Sequence, residues 1–208
     1  GMPMNEERAI LFDLGKVLID FDHRIAVRRI RKYCALSEEE IYNLFFDSGV
    51  TDRYERGLIS SEYFFQEVRA MLQATISYDD FIPIWNEIFT PHPGMLEVLR
   101  SLHGACRLYM VSNLNESHGL YLQKQFPEYF KNFEHLFLSY ELKLRKPDDA
   151  IYAAIIRFIG LPPQHIIYTD DRQELVAAAR RHGIDAFVFE SRDSCKRELI
   201  QRHIKLTD

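Results

Sequence analysis

Three short apolar runs in this sequence each stop at polar or acidic residues. Ala9-Ile10-Leu11-Phe12 stops at Asp13, Arg107-Leu108-Tyr109-Met110-Val111 at Ser112-Asn113, and His165-Ile166-Ile167-Tyr168-Thr169 at Asp170-Asp171. A lone Asp after an apolar run is ordinarily a turn former or helix N-cap. Three runs that each end in small polar or acidic groups point to a shared site. Asp13 is a candidate nucleophile, with Asp170 and Asp171 bringing two further carboxylates to it. Clustered carboxylates repel one another unless a cation neutralises them, and hard oxygen ligands suit Mg²⁺. Ser112 and the backbone N–H groups around Asn113 can donate to a phosphate. Lys146, in Leu144-Arg145-Lys146-Pro147-Asp148, is a point charge able to serve both phosphate and carboxylate. Phosphoryl transfer asks mainly for positioning and charge neutralisation, and this set supplies both.

For these residues to meet, the runs must be parallel strands of one sheet. An uninterrupted apolar run suits a strand covered on both faces, and ligands bind at the carboxyl edge of such sheets. Between the runs the pattern is helical. Met95, Leu99 and Leu102 share one helix face, and Ile151, Ala154, Ile155, Phe158 and Ile159 share another that Gly160 and Pro162 close. Further strands are expected at His135–Leu138 and Ala186–Phe189, with helices near Glu116–Phe126 and Arg172–His182 and a basic terminal helix. This alternation predicts an α/β fold, a doubly wound parallel sheet with right-handed crossovers. From about Asp22 to Phe89 no strand-like run occurs. Ser37 with Glu40 and Ser77 with Asp80 resemble capping boxes, Tyr54–Ser60 reads as a turn, and Ser60 opens the helix Glu62–Leu72. The expected division is an α/β core over 1–21 and 90–208 with an all-helical insertion over 22–89.

Composition narrows the function. The chain has 208 residues, 47% hydrophobic and 27% charged, as in an ordinary globular protein. No run approaches the roughly 18–20 apolar residues of a membrane span, and the first twenty residues lack a signal-peptide pattern, so the expected compartment is cytoplasmic. Gly1 ahead of Met2 reads as a cloning scar. Cys34, Cys106 and Cys195 are too far apart for a zinc site and are expected to be reduced thiols. A net charge of -5 argues against a nucleic-acid partner. Arg24, Arg28, Arg29, Arg31 and Lys32 form a local basic stretch that reads as a solvated helix face. Nothing in the sequence specifies an oligomeric state.

Phe12-Asp13-Leu14-Gly15-Lys16-Val17, Val111-Ser112-Asn113, Arg145-Lys146-Pro147 and Thr169-Asp170-Asp171, in this order and separation, resemble the four motifs of the haloacid dehalogenase superfamily. Tyr54-Glu55-Arg56-Gly57 and Trp85-Asn86 resemble its inserted helical cap. The resemblance implies a Mg²⁺-dependent phosphatase in which Asp13 forms an aspartyl-phosphate, Ser112 and Asn113 bind phosphate and Lys146 steadies the charges. It also implies metal ligation by Asp13, Asp170, Asp171 and the carbonyl of Gly15. The expected substrate is a small phosphate ester of the sugar-phosphate kind, with Glu55 and Arg56 shaping specificity from the cap. Phosphatases of this superfamily usually carry a second Asp at the place held here by Gly15. Glycine can offer a carbonyl but cannot move a proton, a service worth about 10²–10⁴ in rate. A branch resembling α-D-glucose-1-phosphate phosphatase has the same Asp-x-Gly pattern and includes active enzymes. The alternative expectation is a binding or regulatory protein that kept the fold and lost proficient catalysis at Gly15. Asp20 or Asp22 could replace the missing group if the turn folds back, and Glu174 could support the metal ligands. His92 and His118 read as structural. Dehalogenation, which needs no metal, would leave the Asp170-Asp171 pair without purpose.

Overall fold

The run Ala9–Asp13 forms β1, the central strand of a five-stranded parallel sheet. All five of its residues are buried, because successive side chains point to opposite faces and helices cover both. Ile10 and Phe12 enter one apolar cluster and Ala9 and Leu11 the other. The computed structural model describes residues 6–207, so Gly1 lies outside the described residues.

After β1 come β2 (Ile19–Phe21), the helices α1 (His23–Ile30), α2 (Glu38–Asp47), α3 (Val50–Glu55), α4 (Ser61–Leu72) and α5 (Tyr78–Asn86), then β3 (Phe89–Pro91). The remainder alternates: α6 (Pro93–Ser101), β4 (Arg107–Ser112), α7 (Glu116–Gln125), α8 (Pro127–Phe130), β5 (His135–Leu138), α9 (Ser139–Leu142), α10 (Asp149–Ile159), β6 (Ile166–Asp170), α11 (Gln173–Arg181), β7 (Asp185–Val188) and α12 (Arg192–Gln201). The sheet order is β5-β4-β1-β6-β7. The chain builds outward from β1 to β5, then restarts on the other side with β6, so the strand order reverses between β1 and β6. That is where an open α/β sheet leaves a crevice. In register, Asp13 lies opposite Val111 and Phe12 opposite Thr169, so the three polar strand ends share one edge.

Helices α6, α7 and α12 contribute Met95, Leu99, Leu122 and Leu199 to the cluster on one face, and α10 and α11 contribute Ile151, Ile155, Val176 and Ala179 to the other. A third cluster lies within α1–α5, where Phe45, Tyr54, Phe64, Phe81 and Trp85 pack together. The start of α2 has the capping box that its sequence predicts. Ser37 accepts from Glu40 N while the Glu40 side chain accepts from Ser37 N, a reciprocal capping box. Ser77 accepts from Asp80 N without the reverse bond.

Two local expectations need correction. The strand-free stretch ends one residue short of Phe89, because Phe89–Pro91 pairs antiparallel with Ile19–Phe21 as a two-stranded sheet that flanks the helices. Three residues are too few to carry a period-2 pattern. Tyr54 and Glu55 belong to α3 rather than to the following turn. That turn runs through Gly57, at φ 69°, where an added Cβ would sit 2.1 Å from the Tyr140 carbonyl oxygen.

Candidate active site

Lys146 stands at the centre of the sheet edge. Its Nζ donates to Asp13 Oδ1 at 2.9 Å, Asp170 Oδ2 at 3.0 Å and Tyr168 Oη at 3.1 Å. The ammonium reaches this depth because Asn113 clasps the backbone of its own residue. Asn113 Oδ1 accepts from Lys146 N at 2.8 Å, and Asn113 Nδ2 donates to Lys146 O at 2.9 Å. Asp170 accepts further bonds from Tyr168 Oη and from Arg172 N at 3.0 Å. One oxygen from each of Asp13, Asp170 and Asp171 falls within 4.8 Å of the others.

The charges around this centre are unbalanced. Three carboxylates face one buried ammonium, which leaves two negative charges uncompensated when all are ionised. Burial, reinforced by Asp170 and Asp171, pushes Asp13 up to about 7 although Lys146 opposes it. Burial and the neighbouring Asp170 push Asp171 up to about 6. Burial would raise Asp170 as well, but Lys146, Tyr168 and the Arg172 N–H hold it below the usual carboxylate range. Burial alone would lower Lys146, and its two carboxylate partners outweigh it and raise it. Raised carboxylates in an all-oxygen cluster are what a hard divalent cation relieves, so the residues present fit Mg²⁺.

The cluster opens into a cavity of about 190 Å³ between the sheet edge and helices α1, α3 and α5. Of the residues expected at the site, Asp13, Gly15, Glu55, Ser112, Asn113, Lys146 and Asp171 line it. Asp170 is fully buried behind the lining, where it accepts from two residues that do line the cavity, Lys146 and Arg172. Arg56 is not among the lining residues. It bonds Asp52 at 3.0 Å and Asp148 at 2.6 Å, joining α3 to the loop before α10. Glu55 faces the cavity but is already engaged by Arg145 Nε at 2.8 Å. Burial raises Glu55, and Arg145 opposes that.

Several lining residues were not foreseen: Phe21 and His23 at the start of the helical insertion, Trp85 and Phe89 at its end, and Arg145 from the core. The signal available for Arg145 was its place beside Lys146, while Phe21 and His23 carried none beyond their nearness to the Asp13 turn. His118 also lines the cavity, with Nε2 against Trp85 O at 2.8 Å and Nδ1 against Asn115 Nδ2 at 3.0 Å. His92 caps α6, accepting from Met95 N at 3.3 Å. Glu174 pairs with Arg172, and neither Asp20 nor Asp22 lines the cavity.

A family model described as haloacid dehalogenase-like hydrolase matches residues 7–183. The chain belongs to this family. Among its relatives is a D-ribitol-5-phosphate phosphatase of Bacteroides thetaiotaomicron, 22% identical over 203 residues, covering 91% of this chain and 95% of that one. Another is a drimenol cyclase of Aspergillus calidoustus, 24% identical over 197 residues; the match takes in 92% of this chain but 36% of that protein, so the chain spans about a third of its length. A solved structure of a HAD-family enzyme from Bacteroides thetaiotaomicron, in complex with magnesium and inorganic phosphate, superposes with a TM-score of 0.79 at 27% identity, covering 89% of this chain and 95% of that one. The chain is thus a hydrolase of the HAD fold, as the four motifs implied.

Proposed function

We propose that this protein is a Mg²⁺-dependent phosphatase that hydrolyses a small sugar-phosphate-like ester through an aspartyl-phosphate at Asp13. The observation that carries this reading is the Asp13–Lys146–Asp170–Asp171 cluster, which opens into a cavity sized for a small molecule rather than a macromolecule. The phosphatase relative and the magnesium and phosphate complex of the HAD neighbour support it.

Asp13, Asp170, Asp171 and the Gly15 carbonyl would hold the ion. When bound there it would neutralise the carboxylates and polarise a phosphate oxygen. Asp13 Oδ attacks phosphorus in line with the ester oxygen. Lys146, fixed by Asn113, offsets the charge on Asp13 and on the phosphoryl oxygens, while Ser112 and the Asn113 N–H donate to those oxygens. Residues 22–89 act as a cap that closes the cavity over the ester, and Glu55 with Arg145 presents polar groups to the part of the substrate beyond the phosphate. Arg56 holds the closed cap rather than reading the substrate.

A second reading has one specific observation behind it. Gly15 brings no proton-transferring side chain, and the Phe21 ring covers the place where one would stand; this favours a phosphate-binding protein without proficient turnover. Phosphate release from a panel of sugar phosphates and one aryl phosphate, with and without Mg²⁺, separates the two. Metal-dependent release that vanishes in Asp13→Asn is the expected result. Retained release in that variant removes Asp13 as nucleophile, and Mg²⁺ binding without turnover on any ester favours the second reading.

A further inference from the structure

The turn after β1 supplies no carboxylate at position 15, and a side chain there would have to displace the Phe21 ring. An added Cβ on Gly15 would lie 2.7 Å from Phe21 Cε1. Two residues past Phe21, His23 opens α1 and lines the same cavity as Asp13. Its Nδ1 is enclosed and has no hydrogen-bond partner among the described residues. Buried polar atoms in folded proteins nearly always have a partner, so this orphan, on a ring that lines the cavity, calls for one from a ligand or water.

The contrast with His118 is informative. Both rings line the cavity, but His118 has each nitrogen in a hydrogen bond and belongs to the framework. The His23 ring is held without being used. Its centroid lies 4.5 Å from Phe46, 5.0 Å from Phe21 and 6.3 Å from Trp85. Burial, with Lys16 adding to it and Asp22 opposing, brings His23 down to about 4. The ring is therefore neutral near pH 7, and it takes up a proton when a phosphate anion beside it offsets the burial.

We propose that His23 is the catalytic residue that carries the proton for the leaving oxygen and for the attacking water, replacing the carboxylate that position 15 lacks. This rests on the phosphatase reading above. The ester reacts as the monoanion, the form present below its second pKa of about 6, and its proton passes to neutral His23, whose charged form is stabilised by the phosphate that loses it. Asp13 Oδ then bonds to phosphorus as the bond to the ester oxygen breaks with its electron pair. The ester oxygen takes the proton from His23 and leaves as an alcohol. In the second half water attacks phosphorus and its proton moves to His23. The bond to Asp13 breaks, its electron pair returns to the carboxylate, and His23 gives its proton to the departing phosphate.

The test uses two esters and the parameter kcat/KM, which reports on steps up to phosphorylation of Asp13. A polyol phosphate has an alkoxide leaving group that needs a proton, whereas p-nitrophenyl phosphate releases a stabilised anion that does not. His23→Gln is expected to lower kcat/KM by about 10²-fold or more on the polyol phosphate, and by no more than a few-fold on the aryl ester. His23→Phe, which keeps the ring packing on Phe46 and Trp85, should give the same split and serves if the Gln variant folds poorly. Equal losses on both esters, or no loss on either, overturn the assignment of His23 while the native enzyme and an inactive Asp13→Asn variant leave the phosphatase reading intact. Native protein that turns over neither ester overturns both.

Discussion

Two groups of ion pairs lie within one cavity's reach of each other and are built differently. At the sheet edge, Lys146 has 2% of its side chain exposed and Asp170 none. At the seam between α3 and the loop before α10, Arg56 and Asp148 keep 29% and 38% exposed. The buried group is fixed from several directions, by Asn113 on the Lys146 backbone and by Tyr168 and Arg172 on Asp170. The seam group is held by long side chains that water can replace. Buried charges are costly to strand, while exposed pairs contribute little. One region therefore keeps its charged groups in fixed positions, and under the proposed function the other is the contact that would break and re-form as substrate enters and leaves.

The strongest way to break this comparison is Lys146→Met. Removing the ammonium leaves Asp13 and Asp170 buried without their shared partner, which should cost about 3–5 kcal/mol of unfolding free energy by denaturant titration. Added Mg²⁺ should restore part of that loss, because a cation binding only the folded carboxylates stabilises by mass action. A variant as stable as the native chain, with or without Mg²⁺, would mean the cluster is not a tightly coupled charged centre.

Gly15→Asp is next in size and sharpens what the turn after β1 can hold. The new Cβ meets the Phe21 ring at 2.7 Å, and overpacking of this kind typically costs about 1–3 kcal/mol. Turnover should not rise, because the ring occupies the place the carboxylate needs. Pairing it with Phe21→Ala should relieve the clash and give a non-additive coupling of about 0.5–3 kcal/mol in a double-mutant cycle. Additive changes would show that the ring moves aside freely.

The same contrast explains what could be read from the sequence. The sheet and the carboxylate cluster were legible because each depends on a local signal, an apolar run ending in Asp13, Ser112 or Asp170, and on a topology rule that aligns strand ends. Lys146 was legible from its motif, although its threefold hydrogen bonding was not. The seam was not legible. Arg56 and Asp148 are 92 residues apart, and a charged residue in a turn looks the same whether it meets substrate or a partner across a seam. Phe21 and His23 were hidden for a related reason. The β2–β3 pairing that turns them inward joins two three-residue strands from opposite ends of the helical insertion, too short for any periodicity to mark.

The smallest effect tests the seam directly. A double-mutant cycle on Arg56→Ala and Asp148→Ala should give a coupling of about 0.2–1 kcal/mol, as for other partly exposed pairs, and it should shrink as salt is raised because such pairs are screened. Asp52 also contacts Arg56 at 3.0 Å, so part of the single-variant cost belongs to that bond, and only the coupling reports on the seam. Arg145→Ala should cost more than Arg56→Ala. It leaves Glu55, whose carboxyl is already pushed up by burial, without its partner at the cavity wall. A salt-independent coupling of several kcal/mol between Arg56 and Asp148 would place the seam in the same class as the Lys146 cluster. The cap would then be clamped shut, and substrate entry would need a route other than opening at α3.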